Sequence, residues 1–221
     1  MTGIDIDYFK ACHSAGLVSG NMLEVGAAKV QGPGVQNLCE IARELGVADV
    51  TGADLTNLDG VDVVFDFGLS KEEFDQEWRL GKFSTVCVFN VLEHTFDPLT
   101  VLENALACVQ SGGHLLVLTP SIWNIHSYPG DFCRLLPDWY RTFAQRNGLC
   151  LLEPQFSWLS EFGIEPITNG PESDLPSFTT RGRSTSKFRY WTSRVVHKLF
   201  NTYGRSHWAT FSAIGAVFLR P

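Results

Sequence analysis

Between residues 22 and 90 one pattern recurs four times: a short apolar run that ends on an acid or an amide, then a loop or a helix. The runs are Met22–Val25 with Glu24 inside it and Gly26 after it, Val50–Asp54, Gly60–Phe65 followed by Asp66, and Phe83–Asn90. Apolar runs this short suit buried parallel strands, which carry polar groups only where they emerge. Between and around them lie helix patterns. Leu38, Ile41, Ala42 and Leu45 have helical spacing in a helix expected over 34–45, which Gly46 stops. Further helices are expected over 5–16, Lys71–Trp78, Pro98–Val109 and Pro137–Asn147, with Gly112-Gly113 and Gly148 closing the last two. His114–Thr119, Leu149–Phe156 and Phe211–Leu219 complete a set of seven strands. Strands alternating with helices predict an α/β fold with a doubly wound sheet, whose ligand lies across the carboxyl ends of the strands.

The first turn constrains the ligand. A phosphate-binding loop offers backbone N–H groups at a helix N-terminus and keeps carboxylates away. Here Glu24 lies two residues before Gly26. A carboxylate repels a pyrophosphate and suits a ligand that carries an ammonium and a sulfonium. Gly26 lacks a Cβ and lets such a ligand approach the backbone. S-adenosylmethionine meets both demands; an ordinary strand-to-helix turn is the plainer alternative. In an acid-x-Gly-x-Gly-x-Gly loop, Ala28 and Val30 take the later glycine positions, and Gly32-Pro-Gly34-Val-Gln-Asn37 does not complete a dinucleotide fingerprint.

Composition narrows the class. The 221 residues suit one domain with an appendage, and a formal net charge of −7 argues against a nucleic-acid binder. The six cysteines are scattered, with no C-x-x-C pair, which predicts buried free thiols and a reducing, cytoplasmic location. The amino-terminal segment has no apolar run of the secretory kind, and no stretch approaches 18 apolar residues. Residues 157–206 break the strand–helix rhythm. Early Gly, Pro and Ser give way to a basic, aromatic run with no acid among residues 179–207. This excursion between the last two strands is read as partly helical. It is either a solvated helix or a cap over the acceptor pocket that favours an anionic, glycan or lipid-linked acceptor. A peripheral membrane or oligomer contact through 179–207 is the third reading.

Leu23-Glu-Val-Gly26, Ala53-Asp54, Val61-Asp-Val-Val-Phe-Asp66, Phe89-Asn-Val-Leu-Glu-His-Thr-Phe-Asp-Pro98 and Gly112-Gly-His-Leu-Leu-Val-Leu-Thr-Pro120 together resemble the class I S-adenosylmethionine-dependent methyltransferases. The likeness is to the small-molecule group that includes the ubiquinone-biosynthesis O-methyltransferases, and it covers roughly residues 20–156 and the final strand. It implies a single methyltransferase domain with a mostly parallel Rossmann-like sheet and an antiparallel last strand. It also implies roles. Glu24 and Gly26 line the methionine moiety, with Ala28 and Leu55 beside the cofactor. Asp54 accepts from the ribose hydroxyls. Asp66 accepts from the adenine amine, while Phe67 donates its backbone N–H or packs on the ring. Asn90 lies near the transferring methyl.

A sulfonium already carries an activated methyl group, so the protein must supply alignment and desolvation. A hydroxyl acceptor must also lose its proton. His94, just past the fourth strand, is the first candidate base. His126 is the second, on a loop with Tyr128, Asp131 as its orienting carboxylate and Arg134 as an anion clamp. Glu93 lies on the acceptor side as well. Glu93 and His94 suggest a divalent ion by likeness to the quinone enzymes, yet the sequence offers no complete ligand set and no metal is expected. The competing reading is a cofactor-binding module without catalysis. It predicts cofactor binding that is indifferent to both histidines. A nicotinamide oxidoreductase is disfavoured by Glu24 and the failed glycine pattern.

Overall fold

The computed structural model describes residues 2–29, 36–126, 130–160, 163–168 and 212–221. The element order is α1 (Gly3–Ser14), β1 (Asn21–Val25), α2 (Leu38–Glu44), β2 (Asp49–Asp54), β3 (Val63–Val64), α3 (Lys71–Glu77), β4 (Phe83–Phe89), α4 (Pro98–Ala107), β5 (Val109–Ile122), α5 (Pro137–Arg146), β6 (Cys150–Leu151), β7 (Ser157–Ser160), β8 (Gly163–Pro166) and β9 (Ser212–Leu219). Local chemistry sets the helix starts. Asn37 accepts from the Glu40 N–H at the start of α2, Ser70 and Glu73 form a capping box on α3, and Asp97 caps α4 with Pro98 in its first turn.

The strands form one sheet in the order β3-β2-β1-β4-β5-β9-β7-β8, with β6 also paired to β9. The pairs from β3 through β5 are parallel, and β9 runs antiparallel between β5 and β7. The predicted doubly wound, mostly parallel sheet with an antiparallel final strand is therefore the observed one. Alternation along the strands feeds two cores. Leu23, Val25, Val86, Val88, Leu115 and Val117 face a cluster with Phe74 of α3, Leu102 of α4 and Phe143 of α5. Met22, Cys87, Phe89, Leu116 and Leu118 face Tyr8 and Phe9 of α1 and Ile41 of α2.

Three expectations need correction. The sixth strand does not run through 149–156: Cys150–Leu151 stops at a 3₁₀ turn over Glu153–Gln155 that holds Pro154, and pairing with β9 resumes at Ser157. Among the described residues the sheet thus has nine strand segments rather than seven. The excursion does not begin at 157, because β7 and β8 form a hairpin in the sheet. Residues 169–211, with the basic run 179–207 and the cap reading, lie outside the described residues. All six cysteines are free, and Cys39, Cys87 and Cys108 are buried as expected. Among the described residues no helix is long and apolar enough to cross a membrane.

Candidate active site

Register brings the strand-end residues to one edge. Val25 pairs with Ala53 and with Val88, so Gly26 and Asp54 emerge side by side, with Asn90 one residue further along β4. Gly26 has φ +87°, and a Cβ there would lie 2.3 Å from Val91 Cγ2. Glycine alone lets the first turn lie against the segment that follows β4. The Gly26 and Ala27 N–H groups both donate to the Ala53 carbonyl, at 2.8 and 3.1 Å.

Glu24 is 4% exposed, and its carboxylate accepts from the N–H groups of Leu38 (3.0 Å) and Cys39 (2.8 Å), the first residues of α2. A carboxylate thus fills the helix N-terminus that a phosphate-binding loop keeps for its ligand. The charge expected to face the ligand sits beneath the turn. Burial pushes its pKa up to about 7, outweighing the lowering by the two N–H donors.

Asp54 ties the edge together. Its Oδ2 accepts from the Ala28 N–H at 3.2 Å, and its Oδ1 from the Thr56 N–H and hydroxyl at 3.0 and 2.9 Å. Leu55 beside it is 61% exposed. Asp66 is exposed and accepts from the Gly68 N–H at 2.6 Å. The Phe67 ring packs edge-on against Phe65 and Trp78 in the core, so of its two expected roles the ring contact is taken internally. Asn90 has φ +55°, the one non-glycine positive φ among the described residues. Its Nδ2 donates to Asp5 Oδ2 of α1 at 3.1 Å.

Sequence reasoning does not single out three supporting residues. Asn104, buried within the apolar stripe of α4, donates to the carbonyls of Phe67 (2.9 Å) and Leu69 (2.8 Å). Asn37 donates to the carbonyls of Ala27 (2.9 Å) and Gly60 (3.2 Å) and so joins the first turn to the β2–β3 loop. Asp5 holds Asn90. A lone buried amide on an apolar helix face is the signal that points to Asn104.

The acceptor-side residues gather from two loops. Glu93 and His94 follow β4 in a 3₁₀ turn, and His126 follows β5. Because β4 and β5 are parallel neighbours, the two loops meet, and the His94 and His126 rings lie edge to face at 4.9 Å. Glu93 is 2% exposed, and burial raises its pKa to about 7. His94 Nδ1–H donates to the Gly130 carbonyl, and His126 Nδ1–H to the Asn124 carbonyl at 3.2 Å. Asp131 accepts from the His126 backbone N–H at 2.8 Å and lies 3.6 Å from its Nδ1. The expected anion clamp is already engaged. Arg134 pairs with both oxygens of Asp131 and holds that carboxyl well below the usual range. Tyr128 lies outside the described residues. A separate hollow of about 390 Å³, lined by Glu103, Ala107, Asn147 and Arg220 among others, sits at the opposite edge of the sheet and shares no residue with this site.

A parallel α/β sheet with polar groups gathered at its strand ends belongs to the class of proteins that bind a nucleotide-like ligand across that edge. A family model described as a methyltransferase domain matches residues 17–210, and the chain belongs to that family. No curated protein matches it in sequence. Solved structures share the fold. A SAM-dependent methyltransferase from Archaeoglobus fulgidus is 12% identical with a TM-score of 0.53, over 98% of this chain and 94% of that one. A SAM-dependent methyltransferase from Geobacter sulfurreducens in complex with S-adenosyl-L-homocysteine is 12% identical with a TM-score of 0.50, over 100% and 92%. The [4+2]-cyclase SpnF is 13% identical with a TM-score of 0.54, over 98% and 81%.

Proposed function

We propose that this chain transfers the methyl group of S-adenosylmethionine to a hydroxyl oxygen of a small or carrier-linked acceptor. The observation that carries the reading is the emergence of Gly26 and Asp54 side by side, with Asn90 one residue further along β4, next to the Glu93, His94 and His126 cluster. The first group suits the cofactor and the second suits an acceptor proton. Glu24 closes the helix N-terminus to phosphate, which argues against a dinucleotide. In this reading Asp54 takes the ribose hydroxyls and Asp66 the adenine amine, with the Phe67 backbone N–H as the second adenine contact. Gly26, Ala28 and Leu55 flank the methionine side. Asn90, fixed by Asp5, borders the methyl group.

On the acceptor side, His94 or His126 takes the proton, with Asp131 orienting His126 and Arg134 held by Asp131. Phe96, 87% exposed, and Phe132 stack edge to face at 6.1 Å beside the cluster and give an acceptor an apolar wall. Calorimetric titration with S-adenosylhomocysteine tests the cofactor half. Micromolar binding that Asp54→Ala and Asp66→Ala both weaken is the expected result, and a folded protein that binds none overturns it. Labelled S-adenosylmethionine offered to panels of hydroxyl and amine acceptors tests the other half. Label appearing only on nitrogen rules out the oxygen reading.

A further inference from the structure

We propose that the acceptor is a neutral sugar, held through its ring hydroxyls by Glu93, Ser121 and Ser212 at the carboxyl edge of the sheet. The inference rests on the acceptor half of the function proposed above and names its substrate class.

Buried polar atoms normally find partners. Glu93 Oε2, Ser121 Oγ and Ser212 Oγ lie out of water with no hydrogen bond. The three residues are 2%, 8% and 0% exposed. Topology gathers them at one edge. Glu93 follows β4, Ser121 is the last residue but one of β5, and Ser212 opens β9. β4, β5 and β9 are consecutive in the sheet. Because β9 runs antiparallel to β5, its first residue comes to the edge where β5 ends, with Ile122 as its register partner on one side and Ser160 on the other. The same edge carries His94 and His126.

An orphaned oxygen out of water destabilises the chain that holds it, and a hydroxylated ligand is a group that removes the cost. The set selects the ligand. Serine hydroxyls both donate and accept, so they match the hydroxyls of a sugar, whereas an anion calls for a cation. Arg134 is the only Lys or Arg between residues 120 and 136, and Asp131 engages it with both oxygens. A sugar also has an apolar C–H face. The exposed rings of Phe96 and Phe132, edge to face beside the histidines, give that face an apolar surface. These contacts take nothing from the proposed base. Nδ1 of each histidine donates to a carbonyl, and Nε2 stays available for the acceptor proton.

The whole protein, saturated with S-adenosylhomocysteine, is offered methyl glycosides of neutral hexoses and deoxyhexoses, with catechol as the comparison. Saturation-transfer NMR reads binding, and labelled S-adenosylmethionine then reads transfer to the same panel. At least one glycoside should bind and take label on oxygen. Ser121→Ala and Ser212→Ala should each raise the KM for that glycoside roughly three- to tenfold and leave S-adenosylhomocysteine affinity unchanged. The melting temperature should stay the same or rise, because neither hydroxyl has a partner to lose. A structural hydroxyl would behave the other way, with a lower melting temperature and the same KM. No glycoside bound or labelled overturns the proposal, and so does a KM unchanged in both variants. Label on catechol in that case shows that methyl transfer to oxygen survives. Glycoside binding that both variants weaken, with no label on any acceptor, supports the sugar site and sinks methyl transfer.

Discussion

Glu24 and Gly26 stand two residues apart and do opposite things: one fills space beneath the first turn, and the other leaves it open above. Gly26→Ala forces a Cβ onto Val91 and a side chain into positive φ. We expect a stability loss of about 1–3 kcal/mol and weaker S-adenosylhomocysteine binding, read by thermal melts and calorimetry. Unchanged affinity would mean that the turn relaxes away from Val91. Glu24 makes a pH prediction. Its pKa stands at about 7 in the folded chain against an ordinary value near 4.5, so the folded state holds a proton that the unfolded state has already released. The resulting stabilisation is full below about pH 4.5 and lost as pH rises towards 7, a gap worth up to about 3 kcal/mol. Thermal melts between pH 5 and 8 should show the wild type losing stability relative to Glu24→Gln; parallel curves would contradict this.

At the scale of elements, α4 acts as a clamp through one side chain. Asn104 holds the carbonyls of Phe67 and Leu69, the loop that carries the proposed adenine contacts. Asn104→Ala orphans both carbonyls, so S-adenosylhomocysteine affinity should fall roughly tenfold with a stability cost of about 1–3 kcal/mol. A variant that is destabilised yet binds normally would show the loop is held by other contacts. Element by element, the sequence is most readable where burial is complete. The β4 run Phe83–Phe89 and the Pro98 and Pro137 helix starts appear within a residue or two of their expected limits. The sixth strand is not readable. Its register continues across the Pro154 turn only because β9 supplies the same partner on both sides, and β9 lies some 50 residues further on.

Across the whole molecule, the acceptor cluster is assembled by topology. Each half carries its own signal in the sequence. Their meeting does not, since it depends on β4 and β5 lying parallel side by side. The buried, unpartnered state of Glu93 is equally hidden from the sequence, because it depends on how distant segments fold around it, such as the loop whose Phe132 N–H donates to the Glu93 carbonyl at 2.7 Å. A catalytic role predicts that His94→Ala and His126→Ala lower methyl transfer at least roughly a hundredfold while S-adenosylhomocysteine still binds. Single-turnover rates with labelled cofactor, read beside calorimetry, check this. Full activity in both variants would show that neither histidine is the base, whereas cofactor binding with no methyl transfer even in the wild type would return the chain to a binding module.

The place of β9 also bears on how the molecule comes into being. Ser212–Leu219 is the latest strand in sequence among those described, yet it lies between β5 and β7 rather than at the rim. During synthesis β1 to β5 can pair as they emerge, but β5 must wait with an open hydrogen-bonding edge for some 90 further residues and β7 for some 50 until β9 is made. Bare edges of this kind recruit other chains. A ribosome stalled before residue 212 therefore presents a nascent chain that needs a chaperone. Emergence of Ser212–Leu219 should coincide with the step at which the chain stops being aggregation-prone.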